Sequence, residues 1–208
     1  MTNRGRPVQL REAFAYRAGE GARLLERHLA RLRISALALG VDYDDNAIRA
    51  DLHRALAGAA DSIVRLRVRA HEAPTLRLDP LPPMPAEPVR IRIDSRPTDS
   101  RSLWRRHKTD RREVYEAALD RHPDVEDVLL VDESGEVSES SIANLAVRLG
   151  QRWWTPPLTS GCLPGVGRAV ALEAGRLDER RLGVEDVCAA QEIALVSSAR
   201  GWRPARLA

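Results

Sequence analysis

From Ser62 to Ala70 apolar and charged residues alternate strictly: Val64, Leu66, Val68 and Ala70 are separated by Arg65, Arg67 and Arg69. A period of two predicts a strand with one face on a core and one in water. Leu76 and Leu78, beyond the turn at Glu72-Ala73-Pro74, predict its antiparallel partner. Val8 to Tyr16 shows a looser alternation and predicts another strand, followed by a turn over Ala18-Gly19-Glu20-Gly21. Between these strands the period changes. Leu25, Leu29, Leu32, Ala36 and Leu39 recur at three- and four-residue steps and predict a helix stopped by Gly40. On that helix His28, Arg31 and Ser35 form a second stripe, either a solvated face or one turned toward an anion. Asp44 or Asp45 can cap a further helix carrying Ile48, Leu52 and Leu56.

Pro80, Pro82, Pro83, Pro85 and Pro88 then interrupt every period. Proline removes a backbone donor and favours extended chain, so this run predicts a boundary between domains spanning 1–84 and 85–208. Val89, Ile91 and Ile93 begin a new strand. A helix is predicted over Asp110–Arg121, ended by Pro123, and a buried strand over Asp127–Asp132. Asn144–Leu149 and Arg152–Thr155 read as a hairpin around Gly150-Gln151. A glycine-rich loop, Gly161 to Arg168, feeds a helix over Val166–Ala174. A short helix over Asp186–Gln191 precedes an apolar strand, Ile193–Val196, which ends at Ser197-Ser198-Ala199-Arg200-Gly201. The alternation of periods predicts an α+β protein.

Composition narrows the function. Basic and acidic residues number 33 and 30, interspersed, for a net charge of +3. No basic arm or basic–aromatic surface suggests a nucleic-acid partner. No apolar run reaches the length needed to span a bilayer, and Met1 to Arg6 is not followed by a leader's apolar core. Cys162 and Cys188 match neither a metal-site spacing nor a disulfide framework, which suits a reducing, cytoplasmic setting with no metal.

One residue stands apart. Lys108 is the only lysine in the sequence; the other 32 basic residues are arginine. A guanidinium stays protonated, whereas a lysine amine can be deprotonated and form a Schiff base. Three further features complement that amine. Glu139 supplies a carboxylate. The glycine loop opening a helix at Val166 offers backbone N–H groups to a phosphate. Ser197-Ser198, at a strand end beside Arg200, offers more donors. Each alone is an ordinary lysine, surface acid or turn. Together, an amine, an acid and a phosphate cradle are what pyridoxal 5'-phosphate requires.

The order of motifs resembles the class IV aminotransferases, the pyridoxal-phosphate fold type IV family. The similarity runs from about Leu10 to Leu207. It is carried by His28-Leu29-Ala30-Arg31-Leu32, His107-Lys108-Thr109, Gly135-Glu136-Val137-Ser138-Glu139 with Asn144-Leu145, Thr155-Pro156-Pro157-Leu158, Leu163-Pro164-Gly165-Val166 and Ser198-Ala199-Arg200-Gly201. Within the family these pieces look most like 4-amino-4-deoxychorismate lyases. The resemblance implies a smaller α/β N-terminal domain and a larger, barrel-like C-terminal domain carrying the Schiff-base lysine. It implies Lys108 as that lysine and the acid/base, Glu139 beside the pyridine nitrogen, and Arg31 on the phosphate. Val166, Gly167, Ser198 and Ala199 would complete the phosphate cup, with Asn144 ordering the strand behind the ring. Arg106, Arg111 and His107 are candidates for a substrate's carboxylates. It also implies a small amino substrate and a homodimer.

The sequence departs from the family at several positions. The strand before the first motif is short. Gly167 stands where threonine is common and Ser197 where asparagine is common. The tyrosine that branched-chain enzymes place five residues after the lysine is replaced by Glu113, with Tyr115 two residues further on. Three readings remain open at this level: a lyase releasing 4-aminobenzoate and pyruvate, an aminotransferase for branched-chain or D-amino acids, and a non-catalytic member.

Overall fold

The computed structural model describes residues 7–84 and 86–208. The N-terminal hexapeptide and Pro85 of the proline run, both used above, lie outside the described residues. The chain divides into two compact units.

The first unit comprises the described residues up to Pro82 together with His107–Arg111. Its elements are β1 (Gln9–Arg17), β2 (Gly21–Ala22), α1 (Leu25–Leu39), α2 (Asp45–Leu56), β3 (Ser62–Arg69) and β4 (Thr75–Pro80). The strands form an antiparallel sheet in the order β2-β1-β3-β4. The arginine alternation of β3 behaves as its period predicts. Val64, Leu66 and Val68 are buried against Leu10, Phe14, Leu29, Leu32, Ile48 and Leu52, while the intervening arginines lie on the half-exposed face. Each such fully buried aliphatic side chain contributes about 1.5–3 kcal/mol. Gly40, at φ 63°, ends α1 in the left-handed region, and its N–H returns to the Ala36 carbonyl. Asp44 caps α2 by accepting from the Ala47 N–H at 3.0 Å.

The His107–Arg111 segment lies along the edge of β1 that β3 leaves open. The Arg11 N–H donates to the Lys108 carbonyl at 2.9 Å and the Asp110 N–H to the Gln9 carbonyl at 2.9 Å, flanking a Leu10–Thr109 bridge. The sequence boundary assigns Lys108 to the C-terminal domain; these bonds group it with the N-terminal unit. They also hold Asp110 in extended pairing, so α4 (Glu113–Arg121) starts three residues later than the pattern predicts.

The second unit, Pro83–Arg106 with Arg112–Ala208, holds α4 and the larger sheet. Its other elements are β5 (Val89–Ile93), α3 (Leu103–Arg106), β6 (Asp127–Val131), β7 (Val137–Ser140), β8 (Asn144–Leu149), β9 (Arg152–Thr155), α5 (Val166–Glu173), β10 (Asp178–Glu179), α6 (Val184–Cys188), β11 (Glu192–Ser197) and β12 (Gly201–Leu207). The sheet order is β10-β9-β8-β11-β12-β5-β6-β7, and β7 also pairs with β8. That last pairing, Glu139 opposite Asn144, closes six strands into a barrel. Ile91, Leu129, Val131, Leu145, Val147, Ile193 and Leu195 belong to one core cluster. On other faces, Ala171 of α5 joins Ala146, Ala194 and Val196, while Tyr115 and Ala118 of α4 join Val128 and Leu130. Burial on both faces is why β6 reads as an unbroken apolar run.

Three strands of this larger sheet have no clear sequence signal. β7 is polar, β10 is two residues long, and β12 contains Pro204, which cannot donate to a ladder. The expected helix at Asp186 begins instead at Val184. Asp186 accepts from the N–H of Gly183, which places it inside the first turn rather than at the cap. Among the described residues no helix is long and apolar enough to cross a membrane.

Candidate active site

In the first unit Leu10, Glu12 and Phe14 share one face of β1, and all three are buried. A carboxylate in such a row must find partners. Glu12 finds two. Arg31 of α1 approaches it with Nε at 2.8 Å and Nη2 at 2.6 Å, a two-pronged contact that fixes the guanidinium plane. His28 Nδ1 lies 2.6 Å from Oε2. Burial alone would raise the Glu12 carboxyl, but Arg31 and His28 outweigh it and hold it at about 2. The stripe of His28, Arg31 and Ser35 is therefore not a solvated face. Ser35 turns to the lysine segment, with its Oγ 2.9 Å from His107 Nδ1. Lys108 is half-buried, its backbone carbonyl engaged by Arg11. Glu12 escaped the sequence reading, although a glutamate at the inward phase of a strand was the available signal.

In the second unit Glu139 is 3% exposed, not the solvated carboxylate that an isolated glutamate suggests. Its Oε1 accepts from the Tyr115 hydroxyl at 2.7 Å, and Oε2 from the Leu163 N–H at 2.9 Å. The Leu163 carbonyl accepts from Asn144 Nδ2 at 2.9 Å. The two residues that close the barrel thus grip the N–H and the carbonyl of one residue of the glycine-rich loop. Burial, then the neighbouring Glu139 charge, push the Tyr115 phenol above its ordinary value, so it stays a donor. Arg105 is 2% exposed, with Nη1 2.8 Å from Thr98 Oγ1, Nη2 on Ser138 Oγ and Nη2 3.9 Å from Glu139 Oε1. Sequence reasoning passed over Arg105 as one of many arginines.

Beyond Leu163 the loop enters α5. Gly165, its N-cap, carries no capping side chain, so the first-turn N–H groups of Val166, Gly167 and Arg168 are not bonded within the helix. Gly167 sits against the turn at the end of β11. A Cβ there would lie 2.7 Å from both the Ser197 carbonyl carbon and the Ser198 nitrogen. The missing threonine is thus accounted for by close approach of two backbones. Ser198 is buried and Ala199 half-buried; Ser197 Oγ accepts from the Arg200 N–H at 3.1 Å. The structure therefore brings Gly167 and Ser198 together, and joins Glu139 to Asn144 through Leu163. Of the substrate-side candidates, Arg106 is exposed at the end of α3, whereas Arg111 is half-buried in the lysine segment. We expect Gly167→Ala to force these backbones apart. Overpacking of this kind costs about 1–3 kcal/mol, read as a lower denaturation midpoint.

The family model described as amino-transferase class IV matches residues 9–208. A crystal structure of a candidate amino-acid aminotransferase from Mesorhizobium loti superposes with a TM-score of 0.91 at 32% identity, covering 97% of this chain and 100% of that one. The 4-amino-4-deoxychorismate lyase of Pseudomonas aeruginosa gives a TM-score of 0.80 at 27% identity, over 96% and 82% of the two chains. A Schizosaccharomyces pombe protein described as a candidate aminodeoxychorismate lyase is 28% identical over 167 residues, 77% of this chain and 72% of its own length. The chain belongs to the class IV aminotransferases, pyridoxal-phosphate-dependent enzymes of fold type IV.

Proposed function

We propose that this enzyme is a lyase that converts 4-amino-4-deoxychorismate to 4-aminobenzoate and pyruvate, with Lys108 as its base. The observation that carries the reading is the treatment of tyrosine after the lysine. Five residues on from Lys108 the chain has Glu113, exposed in the first turn of α4. The nearby Tyr115 is buried and committed to Glu139. The branched-chain arrangement of the resemblance is therefore absent, and two relatives carry the lyase description.

The residues present fit the cofactor. A buried carboxylate, held by two donors, suits a protonated pyridine nitrogen. The uncapped start of α5, seated against Ser197-Ser198 without an intervening Cβ, suits a phosphate. When bound, pyridoxal phosphate supplies an electron sink for the pair left by breaking a C–H bond. Lys108 Nζ would take the proton from the amine-bearing ring carbon of the substrate. The ether bond to the pyruvate portion then breaks, the ring becomes aromatic, and a proton returned to the departing portion completes pyruvate; substrate and products balance without a redox partner. Glu139 would hold the ring-nitrogen proton. Val166, Gly167, Ser198 and Ala199 would bind the phosphate, and the family resemblance implies a phosphate-binding role for Arg31 as well. His107, Arg106 and Arg111 are the candidates for the substrate carboxylates. A homodimer in the cytoplasm accompanies this reading, as the family resemblance implies.

A second reading, amino transfer to a keto acid, is favoured by the Mesorhizobium loti structure. One assay separates them. Purified enzyme given 4-amino-4-deoxychorismate and no keto acid should release pyruvate and 4-aminobenzoate in equal amounts over many turnovers. An absolute requirement for a keto-acid acceptor would replace the lyase reading with the aminotransferase.

A further inference from the structure

A carboxylate that faces a pyridine nitrogen can share one proton with it in two ways: pyridinium and carboxylate, or neutral pyridine and carboxylic acid. Only the first makes the ring a strong electron sink. Which form exists depends on what else touches the carboxylate, because donors and positive charge favour its ionised state. Three groups beside Glu139 favour its ionised state. The Tyr115 hydroxyl donates to Oε1 at 2.7 Å and the Leu163 N–H to Oε2 at 2.9 Å. The buried Arg105 guanidinium stands 3.9 Å from Oε1. Cys162 is a further titratable neighbour; burial first, then Glu139, pushes its thiol up to about 12, so it adds no charge at neutral pH.

Arg105 and Tyr115 are themselves held. Arg105 is fastened to Thr98 and Ser138, the residue before Glu139. Arg112 lies 4.8 Å above the Tyr115 ring while its Nη2 donates to the Ser141 carbonyl at 2.8 Å. Holding a buried arginine beside an acid, without direct contact, is an expensive way to fill space. As a source of positive potential it has a purpose.

We propose that Tyr115 and Arg105 are positioning residues that keep Glu139 ionised and thereby keep the shared proton on the ring nitrogen of the cofactor. The proposal rests on the reading of Glu139 as the partner of that nitrogen. Tyr115 acts from seven residues beyond Lys108 and through the carboxylate, not by touching the cofactor. Neither residue was a site candidate in the sequence.

The test is nitrogen-15 NMR of the protein loaded with ring-labelled pyridoxal phosphate, which reads the protonation of that nitrogen whether or not the enzyme turns over. The wild type should show the protonated resonance. Tyr115→Phe, which removes one oxygen from a packed ring, should move it toward the neutral-pyridine position. It should also raise the Kd for the cofactor roughly tenfold, the scale of a lost hydrogen bond to a charged group. Arg105→Met should move the resonance further, and Arg105→Lys, which retains the charge, should restore it. A protonated resonance in Tyr115→Phe equal to that of the wild type would overturn the proposal, and that variant decides the matter should the Arg105 variants fail to fold. Glu139→Gln separates the two levels. If it too leaves the resonance protonated, Glu139 is not the partner and the underlying reading fails; if it moves while Tyr115→Phe does not, only the proposal here fails.

Discussion

Lys108→Ala should lower kcat by roughly a thousandfold or more, the scale of losing a positioned acid/base group together with the nucleophile that holds the cofactor. The loss should come without unfolding. The backbone of residue 108 is built into the fold: its carbonyl accepts from the Arg11 N–H at 2.9 Å, and alanine presents the same carbonyl. The neighbouring bond from Asp110 to Gln9 and the Leu10–Thr109 bridge are also backbone contacts. Denaturation of the cofactor-free variant should thus match the wild type, while steady-state turnover collapses. A variant that retained a tenth of the activity would remove Lys108 from the mechanism. Because the sequence holds no other lysine, no second side-chain amine could substitute.

Glu12→Ala should have the opposite signature, with a large stability loss. The Glu12 carboxylate is fully buried and answers both Arg31 and His28. Removing one partner from a buried ionic cluster costs about 3–5 kcal/mol, because the remaining charge is left in the core without compensation. The effect should depend on pH in a definite direction. The folded-state value of Glu12 is depressed, from 4.5 to about 2. Such a group contributes its stability above the unfolded value and loses it as pH falls through the folded value. The shift corresponds to about 3 kcal/mol. Urea denaturation should therefore separate wild type from Glu12→Ala widely at pH 7, with the gap narrowing between about pH 4.5 and 2. A constant gap across that window would assign the loss to packing alone. On the proposed role of Arg31 at the phosphate, cofactor affinity should fall as well, since the same carboxylate sets the plane of that guanidinium.

Periodic elements were legible in the sequence because each obeys one local rule. α1 runs from Leu25 to Leu39 as its three- and four-residue spacing predicts, and β8 and β9 flank Gly150-Gln151 as their alternation predicts. β7 was not legible. Three of its four side chains are polar, and it is a strand because it bridges β6 and β8, a long-range condition that no local window contains. The same holds for His107–Arg111, whose partners lie about a hundred residues earlier along β1. Among site residues, Lys108 stood out by composition, and Glu139 and Gly167 by motif. Glu12, Arg105 and Tyr115 did not, since each is ordinary in type and becomes informative only through what it faces. Gly167 shows the converse: a departure from the family's usual residue that the structure explains by a backbone 2.7 Å from where a Cβ would lie.

Whether Lys108 is the residue on which the cofactor is held is decided by borohydride reduction of the protein loaded with pyridoxal phosphate, followed by peptide mass spectrometry. One reduced phosphopyridoxyl group is expected on the peptide containing Lys108, and none on Lys108→Ala treated in the same way. An unmodified Lys108, or a label confined to the N-terminal amine, would contradict it.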